Sequence, residues 1–267
     1  MDGMSSDMEY LVGVARSAGE ILREGLGSSM LVEHKGEIDL VTEYDRRSEE
    51  FILARLRAAW PGCRVLAEES GWSSEGGDCV WMVDPLDGTT NFAHGVPIFA
   101  VSIALVEGGR ARLGVVYDPM RGECFRAERG KGAFLGERRL RVTNVSDLRQ
   151  ALLVTGFPYD AWTNAQNNLE YYGRFALRSQ GVRRLGSAAL DLAYVAAGRL
   201  DGYWELRLAP WDVAAGGLLA EEAGAKVTAL LSDDDYLTEK ASILAANPAL
   251  HELMLQVIKG TDLNPSR

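Results

Sequence analysis

The first half of the chain alternates between helical and extended hydrophobic patterns. Apolar residues recur every three or four positions over residues 7–25, which predicts an amphipathic helix. A second helix is predicted from Thr42, a candidate N-cap with Asp45 at the third helical position, to about Trp60 before Pro61-Gly62. The β-prone runs that follow predict five strands: Arg64–Ala67, Val80–Val83, Ile98–Val106, Leu113–Tyr117 and Glu123–Ala127.

Turn residues indicate how these strands are connected. Residues 71–79 are rich in glycine and serine and are expected to form a surface loop. Pro85 biases Asp84 towards an extended conformation, so the strand before it is expected to stop there. The sequence Glu107-Gly108-Gly109-Arg110 predicts a hairpin and begins a meander, so the first-half sheet is expected to be antiparallel.

The second half begins near residue 146 and alternates helices with strands. Its predicted strands are Leu152–Gly156, Arg183–Leu185, Leu200–Leu206, Lys226–Leu230 and Ser242–Ala246. Its predicted helices are Asn164–Arg178, Ala188–Ala197, Trp211 to about Ala223, and a terminal helix after Asn247-Pro248. The pattern predicts a mixed α/β (α+β) protein: one unit, residues 1–267, with halves 1–145 and 146–267.

Composition restricts the classes of protein that this fold can serve. The 267 residues are 47% hydrophobic, enough for a substantial core, and 28 basic against 38 acidic residues give a net charge of −10. That charge argues against direct binding to nucleic acid or to an anionic membrane. With no signal-like start and no membrane-spanning run, a soluble cytoplasmic protein is expected. Three cysteines without Cys-x-x-Cys spacing are expected to be reduced and not to bind zinc.

Two carboxylates at a strand end are the first candidates for chemistry. Asp84 and Asp87 flank Pro85-Leu86, and Gly88-Thr89-Thr90 follow at once. Carboxylates three positions apart can converge on one hard cation such as Mg²⁺, beside the threonine hydroxyls. Asp-Pro and Asp-Gly are also ordinary turn pairs, and that string alone would favour a turn. The threonines and a second acidic cluster upstream favour the metal site.

Further acidic residues lie in separate segments of the chain. Glu68 and Glu69 follow a predicted strand, Asp212 opens a predicted helix, and Glu205 lies within a strand. A solvated turn would also explain the glutamates, and an N-cap would explain Asp212. Taken together, Glu68, Asp84, Asp87 and Asp212 form an oxygen-only set without histidine or cysteine, which suits Mg²⁺.

Four ordered motifs carry a family resemblance over nearly the whole chain. They are Ile38-Asp39-Leu40-Val41-Thr42, Leu66-Ala67-Glu68-Glu69-Ser70, Asp84-Pro85-Leu86-Asp87-Gly88-Thr89-Thr90-Asn91-Phe92 and Trp211-Asp212-Val213-Ala214-Ala215-Gly216. Together they resemble the inositol monophosphatase family of metal-dependent sugar phosphatases. The resemblance implies a layered αβαβα sandwich that hydrolyses sugar or polyol monophosphates with two or three Mg²⁺ ions. It further implies a homodimer and inhibition by lithium.

The resemblance also implies roles for particular residues. The metal ligands would be Glu68, Asp84, the carbonyl of Leu86, Asp87 and Asp212. Asp45 and Thr89 would orient the attacking water, with Glu68 as the third catalytic residue. The substrate contacts would be Asp87, Gly88, Thr89, Thr90, Gly186, Ser187, Ala188, Glu205 and Asp212. The family often has a lysine near Lys35, but the register differs by about one residue, so this role is not carried over.

Three alternatives stay open at this point. Asp45 has a purely structural explanation as part of a helix cap. The same chemistry could act on fructose 1,6-bisphosphate, a nucleotide phosphate or histidinol phosphate instead of inositol 1-phosphate. A regulatory, RNA-polymerase-associated protein could keep the fold with little activity, although intact carboxylates argue against regulation alone because unneutralised acids repel one another.

Overall fold

The structure, a computed structural model, describes residues 4–27, 32–34, 40–73, 77–230, 235–238 and 241–261. Lys35 and the first two residues of the 38–42 motif lie outside the described residues. The helices are α1 (Ser6–Gly25), α2 (Glu43–Ala59), α3 (Thr89–Ala93), α4 (Leu169–Ala176), α5 (Ala188–Ala196), α6 (Pro210–Glu222) and α7 (Pro248–Ile258), with a 3-10 turn at Leu148–Gln150. In the part of the chain described, none of them has the length and apolar character needed to cross a membrane.

Fifteen strands form three sheets in the described residues. They are β1 (Val32–His34), β2 (Leu40–Thr42), β3 (Arg64–Ala67), β4 (Gly71–Trp72), β5 (Cys79–Asp87), β6 (Ala100–Glu107), β7 (Arg110–Asp118), β8 (Glu123–Glu128), β9 (Gly132–Leu135), β10 (Arg138–Arg139), β11 (Leu152–Thr155), β12 (Gly181–Arg183), β13 (Gly202–Leu208), β14 (Lys226–Ala229) and β15 (Ala241–Ala246). The strands β1 and β2 pair alone, the large sheet has the order β10-β9-β8-β7-β6-β5-β3-β4, and the second sheet has the order β12-β11-β13-β15-β14.

The two larger sheets lie in a five-layer arrangement. Helices α1 and α2 pack on one face of the large sheet, and α5 and α6 pack on its other face. The opposite sides of α5 and α6 contact the second sheet, whose far face is covered by α4 and α7. The layers therefore run α–β–α–β–α, and the predicted mixed fold class is confirmed. The large sheet is antiparallel except where β3 pairs in parallel with β5.

Predicted capping residues begin three of the helices. The Thr42 side chain accepts hydrogen bonds from the backbone N–H groups of Tyr44 and Asp45, and the Asp45 carboxylate accepts one from the N–H of Thr42. Ser187 caps α5 and Asn247 caps α7 in the same way. Side-chain acceptors at these ends satisfy N–H groups that the helices leave without intrahelical partners.

The strand β5 continues through Asp84 instead of stopping there, contrary to the prediction. Its register with β6 shifts between Asp84, which pairs with Ser102, and Asp87, which pairs with Ala100. The strand thus has one residue more than its partner over this interval, which is a β-bulge. Pro85 is tolerated because a bulge removes the need for its missing N–H.

Other element boundaries also differ from the predictions. Residues Gly71–Trp72 form a short strand instead of a loop, and β9 and β10 extend the predicted meander. Helix α4 begins at Leu169 and not near residue 164, because Asn168 has a left-handed backbone conformation with φ 70°. The strand predicted at residues 183–185 lies two residues earlier, at β12.

The expectation of three reduced cysteines is wrong for two of them. Cys63 and Cys79 form a disulfide bond with a Cα–Cα distance of 4.9 Å, while Cys124 is a buried free thiol. Arg64 pairs with Val80 in the parallel β3–β5 ladder, so the two cysteines stand side by side where these strands begin. A parallel pairing between segments 16 residues apart has no local signal in the sequence.

Candidate active site

A cavity of about 240 Å³ lies where the bulged end of β5 meets the N-termini of α5 and α6 and the strand β13. Its walls contain most of the residues that were singled out from the sequence: Glu68, Asp84, Leu86, Asp87, Gly88, Thr89, Gly186, Ser187, Ala188, Glu205 and Asp212. Thr90 is not part of its lining, and Asp45 lies behind Thr89, in contact with it. The structure therefore brings residues from both halves of the chain together at one site.

Asp87 connects the two halves directly. Its carboxylate accepts hydrogen bonds from the Ser187 hydroxyl at 2.5 Å and from the backbone N–H groups of Ala188 at 3.3 Å and Ala189 at 2.7 Å. These donors stand at the N-terminus of α5, where a negative charge is favoured. Burial raises the pKa of Asp87 to about 6, although those same hydrogen bonds and the charge of Arg184 act to lower it.

Asp84 and Asp212 both line the cavity, from β5 and from the start of α6. Asp84 is 2% exposed, and its Oδ1 accepts the N–H of Leu86 at 3.0 Å. The Oδ2 of Asp212 accepts the N–H of Ala209 at 2.8 Å, so Asp212 is the third residue of α6 and helps to cap it, while Ala209 and not Asp212 is the N-cap. Burial, and then the negative charges of Glu68 and Asp87, raise the pKa of Asp84 well above its usual range. Burial, followed by the charges of Asp87 and Glu68, does the same to the pKa of Asp212.

These four carboxylates fit a hard divalent cation by their chemistry. The described residues contain no set of three or more acidic, histidine or cysteine side chains already gathered closely enough to hold an ion. Glu68, Asp84, Asp87 and Asp212 nevertheless line one cavity, and the charges of Glu68 and Asp87 add to burial in raising the pKa values of both Asp84 and Asp212. Oxygen ligands from carboxylates are what Mg²⁺ prefers.

Asp45 contacts both the cap of α2 and Thr89, so its position is compatible with either of the two roles predicted from the sequence. Its Oδ2 completes the helix cap, since it accepts the N–H of Thr42 at 2.8 Å and the Thr42 hydroxyl at 2.5 Å. Its Oδ1 lies 3.0 Å from the Thr89 hydroxyl, which also lies 3.0 Å from the carbonyl oxygen of Leu86. The cap therefore orients the carboxylate so that its second oxygen meets Thr89. Both side chains are buried.

Gly88 allows the backbone of the two halves to approach closely. It has φ 101°, and a Cβ atom there would stand 3.0 Å from the carbonyl oxygen of Ile98 and 3.1 Å from that of Gly186. The amide of Asn91 donates to the carbonyl oxygens of Ile98 and Leu185, both at 2.8 Å. These contacts hold the turn after β5 against the segment that leads into α5.

Glu205 forms the other wall of the cavity. Its Oε2 accepts the Tyr203 hydroxyl at 2.7 Å, and its carboxylate lies directly over Gly156, where a Cβ atom would overlap it. Burial raises the pKa of Glu205 to about 7, while the Tyr203 hydrogen bond and the charge of Arg184 act to lower it.

Four residues at this wall were not predicted from the sequence as site residues: Gly156, Arg184, Asp191 and Tyr203. Only Tyr203 could have been predicted, because it lies two positions before Glu205 and therefore on the same face of the strand.

The layered fold and its carboxylate-lined cavity are those of a phosphatase, a hydrolase of phosphate monoesters. Residues 4–261 match the model of the inositol monophosphatase family, and the chain belongs to that family. Members of this family are generally metal-dependent and act on small phosphorylated substrates.

Similar proteins match the chain over almost its full length. It is 44% identical over 259 residues to the inositol-1-monophosphatase of Mesorhizobium japonicum, covering 96% of this chain and 97% of that protein. It is 46% identical over 263 residues to the Nus factor SuhB of Pseudomonas aeruginosa, covering 96% and 97%. The structure of an inositol monophosphatase from Anabaena (Nostoc) superposes with a TM-score of 0.87 at 41% identity, covering 96% of each chain.

Proposed function

We propose that this protein hydrolyses inositol 1-phosphate to inositol and phosphate in a Mg²⁺-dependent reaction. The observation that carries the proposal is the single cavity that is lined by four carboxylates from three segments of the chain together with Glu205 and the N-terminus of α5. Hydrolysis of phosphate monoesters is among the slowest uncatalysed reactions, so the site must lower the barrier by about 20 kcal/mol or more. A relative bearing the name inositol-1-monophosphatase supports this choice of substrate.

In this proposal, two or three Mg²⁺ ions would be held by Glu68, Asp84, Asp87, Asp212 and the carbonyl oxygen of Leu86. Bound Mg²⁺ would neutralise phosphate charge and make water a better nucleophile. The protein's contribution is to hold the carboxylates in place: the bulge fixes Asp84 and Asp87, and the cap of α6 fixes Asp212. The net charge of −10 would otherwise oppose the binding of a phosphate dianion.

Thr89 and Asp45 would orient the attacking water. The Thr89 hydroxyl donates to Asp45 Oδ1 at 3.0 Å, which leaves a lone pair of the Thr89 oxygen free to accept a proton from water. As the water attacks, its proton would pass to the Thr89 oxygen while the proton of the Thr89 hydroxyl passes to the buried Asp45 carboxylate. Thr89 contacts the cavity and Asp45 lies behind it, which is the order that such a relay requires.

The polyol would occupy the opposite wall. Gly186, Ser187, Ala188 and Glu205 would face its hydroxyl groups, while Gly88, Thr89 and Thr90 would contact the phosphate. The carboxylate of Glu205 is positioned for this role by the Tyr203 hydroxyl and by the absence of a side chain at Gly156.

Substitution of Glu205 by alanine should reduce kcat/KM for inositol 1-phosphate by the equivalent of one charged hydrogen bond, about 1.5–3 kcal/mol. Phosphate release from a small monoester that lacks those hydroxyls should change much less. Steady-state kinetics on both substrates measure the difference. Equal losses on the two substrates would show that Glu205 supports the fold and does not recognise the polyol.

The proposed reaction is tested by phosphate release from a panel of monoesters with and without Mg²⁺. The panel contains inositol 1-phosphate, fructose 1,6-bisphosphate, a nucleotide monophosphate and histidinol phosphate, all at equal concentration. Inositol 1-phosphate should have the highest kcat/KM. A higher value for any other member would reassign the substrate without changing the chemistry.

We also propose that the protein is a homodimer that associates through the segment 159–177. In the described residues, five of the nine exposed large apolar side chains lie in these 19 positions, including Trp162 at 75% and Leu177 at 85% exposure. A second copy packed against this segment would remove these apolar groups from water. Light scattering should therefore give about 58 kDa, twice the chain mass of 29.1 kDa.

The double substitution Trp162→Ser with Leu177→Ser should give the monomer mass. Trp72 is 50% exposed but lies outside the segment, so Trp72→Ser serves as the matched control and should keep the dimer mass. A wild-type protein that is monomeric at micromolar concentration would refute the proposal.

A second candidate function is that of a Nus factor, the name given to the Pseudomonas aeruginosa relative that is 46% identical over 96% of this chain. This role belongs to the regulatory class and, as an alternative to catalysis, would require little phosphatase activity. Copurification with RNA polymerase, compared between the wild type and an Asp84→Asn variant, tests it. Loss of association in a catalytically silent but folded variant would tie the two functions together.

A further inference from the structure

Asp191 is a buried carboxyl group that the proposed mechanism does not use. It stands on α5 four residues after Ser187, and its N–H bonds to the Ser187 carbonyl oxygen at 3.0 Å. Residues four apart lie on one face of a helix, so Asp191 shares with Ser187 the face that is turned to the cavity. It lines that cavity but is only 1% exposed.

One oxygen of this carboxyl group has no hydrogen-bond partner. Within the described residues, no donor reaches the buried Oδ1 of Asp191. A buried acceptor without a partner costs free energy of folding, so native proteins usually pair such an oxygen with a protein donor, an ordered water or a ligand. Burial, and then the negative charges of Glu205 and Asp87, raise the pKa of Asp191, while the charge of Arg184 acts to lower it.

Asp191 lies close to Glu205 within the cavity lining. After burial, the charge that raises the pKa of Asp191 most is that of Glu205, followed by Asp87, whereas for Asp84 the charges after burial are those of Glu68, Asp87 and Asp212. Asp191 is therefore on the Glu205 side of the cavity. The Tyr203 hydroxyl donates a hydrogen bond to one oxygen of Glu205, whereas no donor among the described residues reaches Oδ1 of Asp191.

We propose that Asp191 accepts a hydrogen bond from a second hydroxyl group of the substrate, beside the hydroxyl bound by Glu205. The proposal rests on the phosphatase function proposed above and narrows it. The substrate class becomes monophosphates of polyols with at least two neighbouring hydroxyl groups besides the phosphate ester. A hydroxyl suits this position because it satisfies the buried oxygen without bringing another charge into the cavity.

The test compares Asp191→Ala with the wild type on three kinds of phosphate monoester. These are inositol 1-phosphate, its analogues that each lack one hydroxyl, and p-nitrophenyl phosphate, which lacks all of them. For inositol 1-phosphate, kcat/KM should fall about 10- to 100-fold. For p-nitrophenyl phosphate it should stay within about twofold. One deoxy analogue should already be poor for the wild type and no poorer for the variant, which identifies the hydroxyl that Asp191 binds.

Two further variants keep the test decisive. Asp191→Asn retains one acceptor oxygen and should recover part of the loss. Alanine is favourable in a helix and removes an unpaired carboxyl group, so the melting temperature of Asp191→Ala should not fall. Asp201 accepts the N–H of Leu152 and the Thr143 hydroxyl at 2.7 Å each, does not line the cavity, and provides the control Asp201→Asn. That control should melt lower with an unchanged ratio of activities on the two substrates.

The outcomes separate this inference from the proposed function. If the wild type hydrolyses neither inositol 1-phosphate nor p-nitrophenyl phosphate, the phosphatase proposal fails, and this one fails with it. If the wild type hydrolyses both and Asp191→Ala lowers kcat/KM equally for both, the phosphatase proposal stands and the role of Asp191 is refuted. Equal sensitivity of the variant and the wild type to every missing hydroxyl would refute it as well.

Discussion

Replacing Asp84 by asparagine should lower kcat by a factor of about 10³ or more without unfolding the protein. Asp84 is buried, lies at the bulge of β5, and is proposed to hold the ions that neutralise charge in the transition state, a contribution worth several kcal/mol. Its pKa is raised by burial and by Glu68, Asp87 and Asp212, so its charge is unfavourable when no cation is bound. In EDTA the variant should therefore melt no lower than the wild type. Adding Mg²⁺ should raise the melting temperature of the wild type alone.

Asp118 provides a matched control for this experiment. It is also a fully buried aspartate, at the end of β7, but its carboxylate is paired with Arg121 at 2.9 Å and does not line the cavity. Asp118→Asn should lower the melting temperature and keep its response to Mg²⁺. Steady-state phosphate release and thermal melting, each with EDTA or Mg²⁺, provide the measurements. Full activity of Asp84→Asn in EDTA would contradict the assignment of Asp84 as a metal ligand.

Asp45→Asn and Thr89→Val should each lower kcat by about 10²–10⁴-fold. Asparagine can still accept the hydrogen bond from Thr89, but it cannot take up a proton or hold the charge that develops as water attacks. Valine removes the hydroxyl altogether. Because the two residues act as one unit, the double variant should be little slower than either single variant. Single-turnover rates at saturating Mg²⁺ measure the effect, and multiplied losses in the double variant would show that the residues act independently.

Thr42→Ala separates the cap from the relay. It removes the hydroxyl that caps α2 but keeps the backbone N–H that donates to Asp45 Oδ2, so Asp45 Oδ1 is expected to stay within hydrogen-bond distance of Thr89. This variant should lose about 1 kcal/mol of stability and keep most of its kcat. If instead Asp45→Asn melted lower and turned over normally, Asp45 would be a cap and nothing more.

Local rules predicted the elements whose causes lie within a few residues. The cap of Thr42 and Asp45, the start of α5 at Ser187 and the hairpin at Gly108-Gly109 all depend on neighbouring groups, and each is present. The parallel pairing of β3 with β5 and the Cys63–Cys79 bond depend on which segments meet in space. The later start of α4 depends on Asn168, whose side chain bonds to Gly156 and Trp204 in other elements. No window of sequence contains those contacts.

The candidate site follows the same division. Each acidic motif alone had an ordinary explanation as a turn or a helix cap, and the acids were predicted as a site because several such motifs occur together in a recognisable order; the structure places those acids in one cavity. Their roles as ligands and catalysts remain predictions. Asp191 could not be predicted as a site residue, because aspartate is common in the first turns of helices, where it interacts favourably with the helix dipole. Its interest arises only from burial and an unpaired oxygen, which are properties of the assembled layers.

Helix α6 illustrates how the interior of the protein constrains its evolution. Nearly all of its residues from Pro210 to Ala220 are buried, between the large sheet on one side and the second sheet on the other. A Cβ atom at Gly216 would stand 2.7 Å from Leu192, and one at Gly217 would stand 2.5 Å from the Tyr236 ring. Asp212 lies in the first turn of the same helix. A methyl group added at Gly216 or Gly217 would therefore require α6 to shift, and we expect the Asp212 carboxylate to shift with it. Substitutions in α6 are therefore restricted both by the packing of the helix between two sheets and by the position that Asp212 must keep in the cavity. This holds although most residues of α6 do not line the cavity.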